Sequence, residues 1–245
     1  MLKNNHLTKN NHNITSTIFL KLCYISILIV LMSCKTDASK KEVISGEVSN
    51  KTATETREKS TSKKIVFFGD SLTAGLGLDD VADAFPGIIQ RNIDSLQLNY
   101  TVVNSGISGE TTAGGKNRIN WVLNQEPNIF ILELGANDGL RGVPLKETKT
   151  NLQAIITAVK EKYPAAKIVL AGMQIPPNMG QEYTTEFKNI FPALAKKNDL
   201  YLIPFLLEDV GGITSLNQAD GIHPTKEGHK ILAKNVWEVL KPILK

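Results

Sequence analysis

Residues 65–75 are Ile-Val-Phe-Phe-Gly-Asp-Ser-Leu-Thr-Ala-Gly, a short apolar run that continues directly into a turn flanked by glycines. Four consecutive apolar residues that stop at Gly69 are typical of a strand buried on both faces. Ser71 therefore falls just past the carboxyl end of that strand, at a position where a nucleophile can be exposed.

Similar apolar runs recur along the chain and alternate with longer amphipathic stretches, two of which stop just before a proline, Pro164 or Pro242. The predicted strands are 65–68, 101–103, 129–132, 168–171 and 200–203, and the predicted helices are 84–98, 112–123, 145–162, 182–198 and 226–240. This alternation predicts an α/β fold in which a five-stranded, doubly wound parallel sheet carries helices on both faces. In such sheets ligands bind beyond the carboxyl ends of the strands.

The formal net charge of +4 comes mostly from the amino terminus. Residues 1–33 contain Lys3, Lys9 and Lys21 and no acidic residue, which leaves 25 of the 28 basic residues against all 24 acidic ones. A net charge of +1 over the remaining chain gives no basic surface of the kind that binds nucleic acid, so we expect no nucleic-acid partner.

The amino-terminal segment has the features of a targeting signal. Lys21 precedes the nearly continuous apolar run 22–32, which is short for a membrane span and typical of a signal sequence. The run ends in Leu-Met-Ser-Cys at 31–34, which resembles a bacterial lipobox, so we expect cleavage before Cys34 and lipidation of that cysteine. The alternative is an ordinary signal with an incidental cysteine.

The predicted organisation is a lipoprotein signal peptide (1–33), a flexible tether (34–63) and one folded domain (64–245). The tether is rich in Lys, Glu, Thr and Ser and has too few large apolar residues to form a core. Because Cys23 and Cys34 are the two cysteines of the chain, the domain has no thiol. Disulfides, a cysteine nucleophile and cysteine-rich zinc sites are therefore excluded from it.

Serine is a weak nucleophile unless a base accepts its proton, and the domain has two histidines. His229 lies within the last predicted helix, where the simplest interpretation is a surface or helix-face residue. His223 lies in the loop 220–224, and Asp220 is close enough in sequence to bond its second ring nitrogen. We therefore predict His223 and Asp220 as partners of Ser71. The alternative is that the Gly and Pro of this loop form an ordinary turn and lead into the next helix.

Two further polar turns, 104–111 and 135–139, follow the second and third predicted strands and should reach the same edge of the sheet. Acyl transfer needs preorganised donors for an oxyanion, and an Asn amide and the N–H groups of Gly-rich turns are such donors. Asn137 and Gly109 fit this role. Asn-Asp-Gly is also an ordinary turn sequence, and the residues alone leave both interpretations open.

Four blocks of the sequence resemble, in order and separation, the signature blocks of the SGNH (GDSL) hydrolase superfamily: Gly-Asp-Ser-Leu at 69–72, Gly109, Gly-Ala-Asn-Asp at 135–138 and Asp-Gly-Ile-His-Pro at 220–224. From Ile65 to about Leu240 the chain most resembles the bacterial acyl-CoA thioesterase, lysophospholipase and arylesterase branch. The resemblance implies a flavodoxin-like α/β/α domain with Ser71, Asp220 and His223 as catalytic triad. It also implies an oxyanion hole formed by the N–H groups of Ser71 and Gly109 and the side chain of Asn137.

The sequence departs from many relatives at Ala136, where they have glycine, and we expect this methyl group to narrow the oxyanion hole only slightly. The loop 173–180 also resembles this branch and is expected to border an acyl pocket, with Ile175, Pro176 and Met179 in its lining. The alternative is a connection that its prolines stiffen and that has no role in binding.

These features predict a serine ester hydrolase that cleaves carboxylic esters or thioesters through an acyl-Ser71 intermediate, with no cofactor and no metal. We expect a small-molecule ester or acyl-lipid substrate, a monomer, and attachment to the cell envelope through the lipid anchor. The alternative is a membrane-anchored binding protein that keeps the fold without turnover. Nucleotide binding at the first turn is disfavoured because the Walker lysine and the G-x-G-x-x-G spacing are missing.

Overall fold

The structure, a computed structural model, describes residues 62–244. The predicted signal peptide, Cys34 and nearly all of the predicted tether lie outside these residues. The first strand begins at Lys63, so the last predicted tether residue belongs to the sheet. No helix within 62–244 is both long and apolar enough to cross a membrane.

A five-stranded parallel sheet forms the centre of the domain, as predicted, in the order β2-β1-β3-β4-β5. Its strands are β1 (Lys63–Gly69), β2 (Tyr100–Gly106), β3 (Ile129–Glu133), β4 (Lys167–Ala171) and β5 (Tyr201–Ile203). Strands β1, β3 and β4 are almost wholly buried because helices cover both faces of the sheet. Their unbroken apolar runs are what made them recognisable in the sequence.

Within the described residues 62–244, seven α-helices connect and follow the strands. They are α1 (Ser71–Ala74), α2 (Phe85–Ser95), α3 (Thr112–Val122), α4 (Ala136–Leu140), α5 (Leu145–Lys162), α6 (Gln181–Asn198) and α7 (Lys226–Leu240). Five of them were predicted. The prediction for α2 ran past its end, because the backbone leaves the helix before Gln97, which has a left-handed conformation with φ of 54°. The short helices α1 and α4 were predicted as turns.

The winding direction of the chain divides the helices between the two faces. From β1 to β2 the chain moves toward one edge of the sheet, whereas from β2 to β3, β4 and β5 it moves toward the other. Right-handed crossovers then put α2 on one face and α3, α5 and α6 on the opposite face. Helix α7 packs against α2 and completes a three-layer α/β/α, flavodoxin-like fold.

The winding direction changes between β1 and β3, and this is where a doubly wound sheet opens a crevice at its carboxyl edge. The segments that follow β1 and β3 carry Ser71 and Asn137. Beneath them the core is filled by fully buried aromatic rings, among which Phe67 meets Phe85 edge-on at a centroid distance of 5.5 Å. The topology therefore places the two sequence blocks next to each other on a rigid base.

Candidate active site

Ser71 is the first residue of α1 and follows β1 after a single residue, Asp70. The Asp70 carboxylate caps this helix, since its Oδ1 accepts the N–H of Leu72 at 3.0 Å. Ser71 is 7% exposed, so its hydroxyl reaches the crevice while the backbone around it is buried. As the first helical residue, Ser71 also has an N–H that no carbonyl within the helix can accept.

The structure brings His223 and Asp220, the two residues predicted as its partners, beside this serine. The ring Nε2 of His223 is 2.8 Å from Ser71 Oγ, and its Nδ1 is 2.6 Å from Asp220 Oδ2. Because a carboxylate can only accept, the Nδ1 atom carries the proton and Nε2 is free to accept one from the serine. The chain of three groups can therefore remove the Ser71 proton and stabilise the imidazolium that results.

The loop 220–224 is held in shape by the same aspartate. Asp220 Oδ1 accepts the N–H groups of Ile222 and His223, both at 3.0 Å, and the carbonyl of His223 accepts the N–H of Gln218 at 2.7 Å. The bonds from His223 and Ile222 lower the pKa of Asp220 to about 2. Asp220 is thus ionised throughout the neutral range, as a partner of an imidazolium must be.

The two residues predicted as oxyanion donors line the same cavity as Ser71. Gly109 has a φ of 77°, a conformation that favours glycine, and its N–H has no acceptor within the described part of the chain. Asn137 lies in the first turn of α4, and its Nδ2 donates one hydrogen bond, of 3.1 Å, to Asp70 Oδ2. Its second amide hydrogen is left for a ligand.

Buried polar contacts fix the segments that carry these donors. Asp138, the neighbour of Asn137, accepts hydrogen bonds from the backbone N–H and hydroxyl of Thr112 and from the hydroxyl of Thr148. At the turn 104–111, which carries Gly109, Arg118 forms an ion pair with Glu110 and donates to the carbonyl of Ser105 at 2.8 Å. Both donor segments are therefore anchored to long helices, which gives the preorganisation that acyl transfer needs.

A cavity of about 500 Å³ opens beside the triad. Apolar side chains make up most of its lining, among them Leu72, Leu76, Leu140, Ile175, Pro176, Phe205, Leu207 and Ile222. Ile175 and Pro176, two of the three residues predicted to line an acyl pocket, are among these lining residues. Met179 does not line the cavity, because the chain turns away in the short helix Pro177–Met179 and its methyl group approaches Gly142 instead. Ala136 is also among the lining residues.

Of the two interpretations of His229, a surface residue or a helix-face residue, the structure shows the second, because His229 lies on the buried face of α7. It is 1% exposed, its ring stacks on Phe85, and its Nδ1 accepts the N–H of Phe85 at 3.2 Å. Burial, and to a smaller degree the charge of His223, lowers the pKa of His229 to about 4. It is a neutral core residue that joins α7 to α2.

Two buried carboxyl groups beneath the nucleophile were missed from the sequence. Glu133, the last residue of β3, is fully buried, and its Oε2 accepts the Asp70 N–H at 3.1 Å and the Thr73 hydroxyl at 2.7 Å. Burial and the charge of Asp70 raise the pKa of Glu133 well above its usual value, and burial raises that of Asp70 to about 6. The signal available in the sequence was an acidic residue inside an otherwise apolar run, 129–134.

A flavodoxin-like sheet with a serine, histidine and aspartate aligned at its switch point defines the class of serine-dependent hydrolases. The particular family follows from comparison with known proteins: residues 67–231 match the model of the GDSL-like lipase/acylhydrolase family, and the chain belongs to that family. It is a carboxylic ester hydrolase.

Similar proteins cover almost the whole described domain. Esterase TesA of Pseudomonas aeruginosa is 39% identical over 188 residues, 76% of this chain and 92% of TesA. Thioesterase 1/protease 1/lysophospholipase L1 of Escherichia coli K12 is 35% identical over 181 residues, 74% of this chain and 84% of the relative. Among solved structures, the psychrotrophic esterase EstA from Pseudoalteromonas sp., inhibited by monoethylphosphonate, is 33% identical with a TM-score of 0.70, covering 75% of this chain and 99% of EstA.

Proposed function

We propose that this ester hydrolase works through a covalent acyl-Ser71 intermediate. The observation that carries the proposal is the unbroken contact from Ser71 Oγ to His223 Nε2 and from His223 Nδ1 to Asp220, at 2.8 and 2.6 Å. His223 takes the Ser71 proton as Oγ attacks the acyl carbon, and returns it to the oxygen or sulfur of the leaving group. Water, deprotonated by His223, then cleaves the acyl-enzyme and releases the carboxylic acid.

The negative charge of the tetrahedral intermediate falls on the former carbonyl oxygen. We assign the N–H groups of Ser71 and Gly109 and the side-chain amide of Asn137 as its donors. The free N–H of Gly109 and the unused amide hydrogen of Asn137 support the assignment. Removing one such donor generally lowers turnover by about 100-fold or more, and we expect that loss for Asn137→Ala.

For the substrate, we propose carboxylic esters and thioesters with an apolar acyl or aryl group. The support is the cavity next to Ser71, which is lined mainly by apolar side chains and has room for more than an acetyl group. The name of the E. coli relative points in the same direction, since it includes both thioesterase and lysophospholipase. Ile175 and Pro176 are the proposed contacts of the acyl group, and Met179 is not among them.

The test is hydrolysis of p-nitrophenyl esters from acetate to palmitate by the purified full-length chain and its Ser71→Ala variant. We expect turnover in the wild type alone, with the highest kcat/KM for an acyl chain longer than acetyl. Hydrolysis that survives in Ser71→Ala would refute the acyl-Ser71 intermediate. A steep preference for acetate would refute the apolar acyl pocket and leave the mechanism untouched.

We also propose that the enzyme is a monomer held at the cell envelope by acyl chains on Cys34. The support for the anchor is the sequence: an apolar run, a lipobox-like ending at 31–34, and a polar segment of about thirty residues before the domain. In this arrangement, the polar segment gives the catalytic domain reach above the membrane surface.

A further inference from the structure

An Asn side chain can donate to an oxyanion only when its amide group is turned the right way. The two ends of the Asn137 carboxamide differ by one atom, and a half-turn would present the carbonyl oxygen, which repels an oxyanion. Asn137 lies on a helix of five residues, so its own element does little to fix that rotation. Contacts from other residues must therefore set it.

Asp70 and Arg141 contact the two ends of this amide. At the nitrogen end, Asp70 Oδ2 accepts from Asn137 Nδ2 at 3.1 Å. At the oxygen end, Arg141 Nη2 donates to Asn137 Oδ1 at 3.3 Å and to the carbonyl of Gly109 at 3.1 Å. A carboxylate only accepts and a guanidinium only donates, so a flipped amide would oppose like groups at both ends.

We propose that Asp70 and Arg141 are positioning residues of the ester hydrolase, which together fix the Asn137 carboxamide so that its second amide hydrogen faces the oxyanion. Arg141 also ties Asn137 to Gly109, so the two donors contributed by different segments move together. The inference rests on the oxyanion role proposed for Asn137.

Buried hydrogen bonds with Leu72 and Glu133 fix the position of Asp70. Its Oδ1 is occupied by the Leu72 N–H and its own N–H by Glu133 Oε2, and its side chain is 1% exposed. Burial and the neighbouring charge of Asp70 raise the pKa of Glu133, which keeps Glu133 neutral and leaves the negative charge on Asp70. This is the form of Asp70 that accepts from Asn137.

Two substitutions test the contacts at the nitrogen end and at the oxygen end of the Asn137 carboxamide. In Asp70→Asn, the new amide must keep its oxygen toward the Leu72 N–H, so its NH₂ group opposes the NH₂ group of Asn137. In Arg141→Ala, the oxygen end loses its donor, and because Arg141 is exposed the fold is preserved. Small misplacements in an active site cost up to about 100-fold, and we expect kcat to fall about 10-fold or more in each variant with little change in KM.

The decisive measurement is a double-mutant cycle on full-length enzyme with Asn137→Ala, following kcat and KM with one p-nitrophenyl ester. If Asp70 and Arg141 act through Asn137, each double variant is no slower than Asn137→Ala alone. Lys146→Ala is the control for loss of a nearby exposed positive charge, and it should keep wild-type kcat. Thermal melts verify that each variant is folded, and Arg141→Ala carries the test by itself if Asp70→Asn does not fold.

Wild-type kcat in Arg141→Ala, or losses that multiply with that of Asn137→Ala, would overturn the proposal while the oxyanion hole stands. Wild-type kcat in Asn137→Ala would instead overturn the oxyanion role and the positioning role with it. Loss of activity in Ser71→Ala alone, with all these variants unaffected, would support Ser71 as the nucleophile and overturn both the oxyanion role and the positioning role.

Discussion

At the scale of single residues, the two histidines of the domain show how environment separates chemistry from structure. His223 is partly exposed between a serine and a carboxylate, whereas His229 is enclosed and bonded to a backbone N–H. A neutral Nδ1 is required to accept that N–H, so His229 cannot both take up a proton and keep its contact. His229 should therefore matter to folding at low pH and not to turnover.

This difference gives a prediction for acid stability. The pKa of His229 is about 4 in the folded protein and about 6.5 when unfolded. As the pH falls, the unfolded chain thus binds the proton first. The contribution of neutral His229 to the free energy of unfolding is fully present above pH 6.5 and is lost as pH falls toward 4, by roughly 3 kcal/mol at most.

In His229→Asn, the Oδ1 atom can accept the Phe85 N–H and does not titrate. We expect the difference in unfolding free energy between wild type and variant, measured by urea denaturation from pH 7 to pH 4.5, to shift in favour of the variant as pH falls. Subtraction removes the opposite contribution of Asp70, which both proteins share. A difference that stays constant with pH, or a large fall in kcat at pH 7, would contradict the account.

At the scale of elements, the nucleophile depends on how closely β2 packs beneath α1. A Cβ atom built on Gly106 would lie 2.3 Å from the backbone nitrogen of Ala74 and 2.8 Å from its Cα. Both are backbone atoms, so no side chain can rotate to make room. The last residue of β2 must be glycine if the four-residue helix that begins with Ser71 is to rest where it does.

We expect Gly106→Ala to cost about 1–3 kcal/mol of stability and to lower kcat, because α1 must shift relative to His223. Gly211→Ala is the matched control for stability, since its added Cβ meets its nearest neighbour at an ordinary 3.4 Å and its backbone is not in the left-handed region. Chemical denaturation and ester hydrolysis on both variants test this. Equal stability of the two variants would show that β2 does not constrain α1.

The long elements were predictable from sequence and the short ones were not, for a physical reason. Strands β1 and β3 and helices α5 and α7 carry their own signal, either an unbroken apolar run or an amphipathic repeat. Helices α1 and α4 have four and five residues, too few to be stable alone. Their hydrogen-bond partners lie outside the short helices, as Thr112 and Thr148 do for Asp138.

The residues of the site likewise divide into those that the sequence indicated and those that it did not. Ser71, Asp220, His223, Gly109 and Asn137 come together because each follows a strand or lies in a loop at one edge of the sheet, which the motif order already indicated. Glu133 and Arg141 could not be assigned, because a strand residue and a residue after a turn show their partners only in the folded chain. Met179 does not line the cavity, since sequence position within a loop does not fix side-chain direction.

At the scale of the whole molecule, the proposed anchor can be tested independently of catalysis. Cys34→Ser removes the thiol that would be acylated. Cys23→Ser alters the other cysteine, which lies within the apolar run, and serves as the control. We expect ester-hydrolase activity to leave the membrane fraction in bacteria that express Cys34→Ser and to stay there with Cys23→Ser. Activity that remains membrane-bound in Cys34→Ser would exclude acylation of Cys34 as the anchor.

The proposed mechanism depends on Ser71 as the nucleophile and on His223 as the base that activates it. The most direct measurement is the reaction of the enzyme with a fluorophosphonate, which forms a stable covalent bond to an activated serine, followed by peptide mass mapping. We predict one adduct, on the peptide that contains Ser71, absent from Ser71→Ala and formed about 100-fold more slowly or worse in His223→Ala. An adduct on another residue, or an unchanged rate in His223→Ala, would contradict the account.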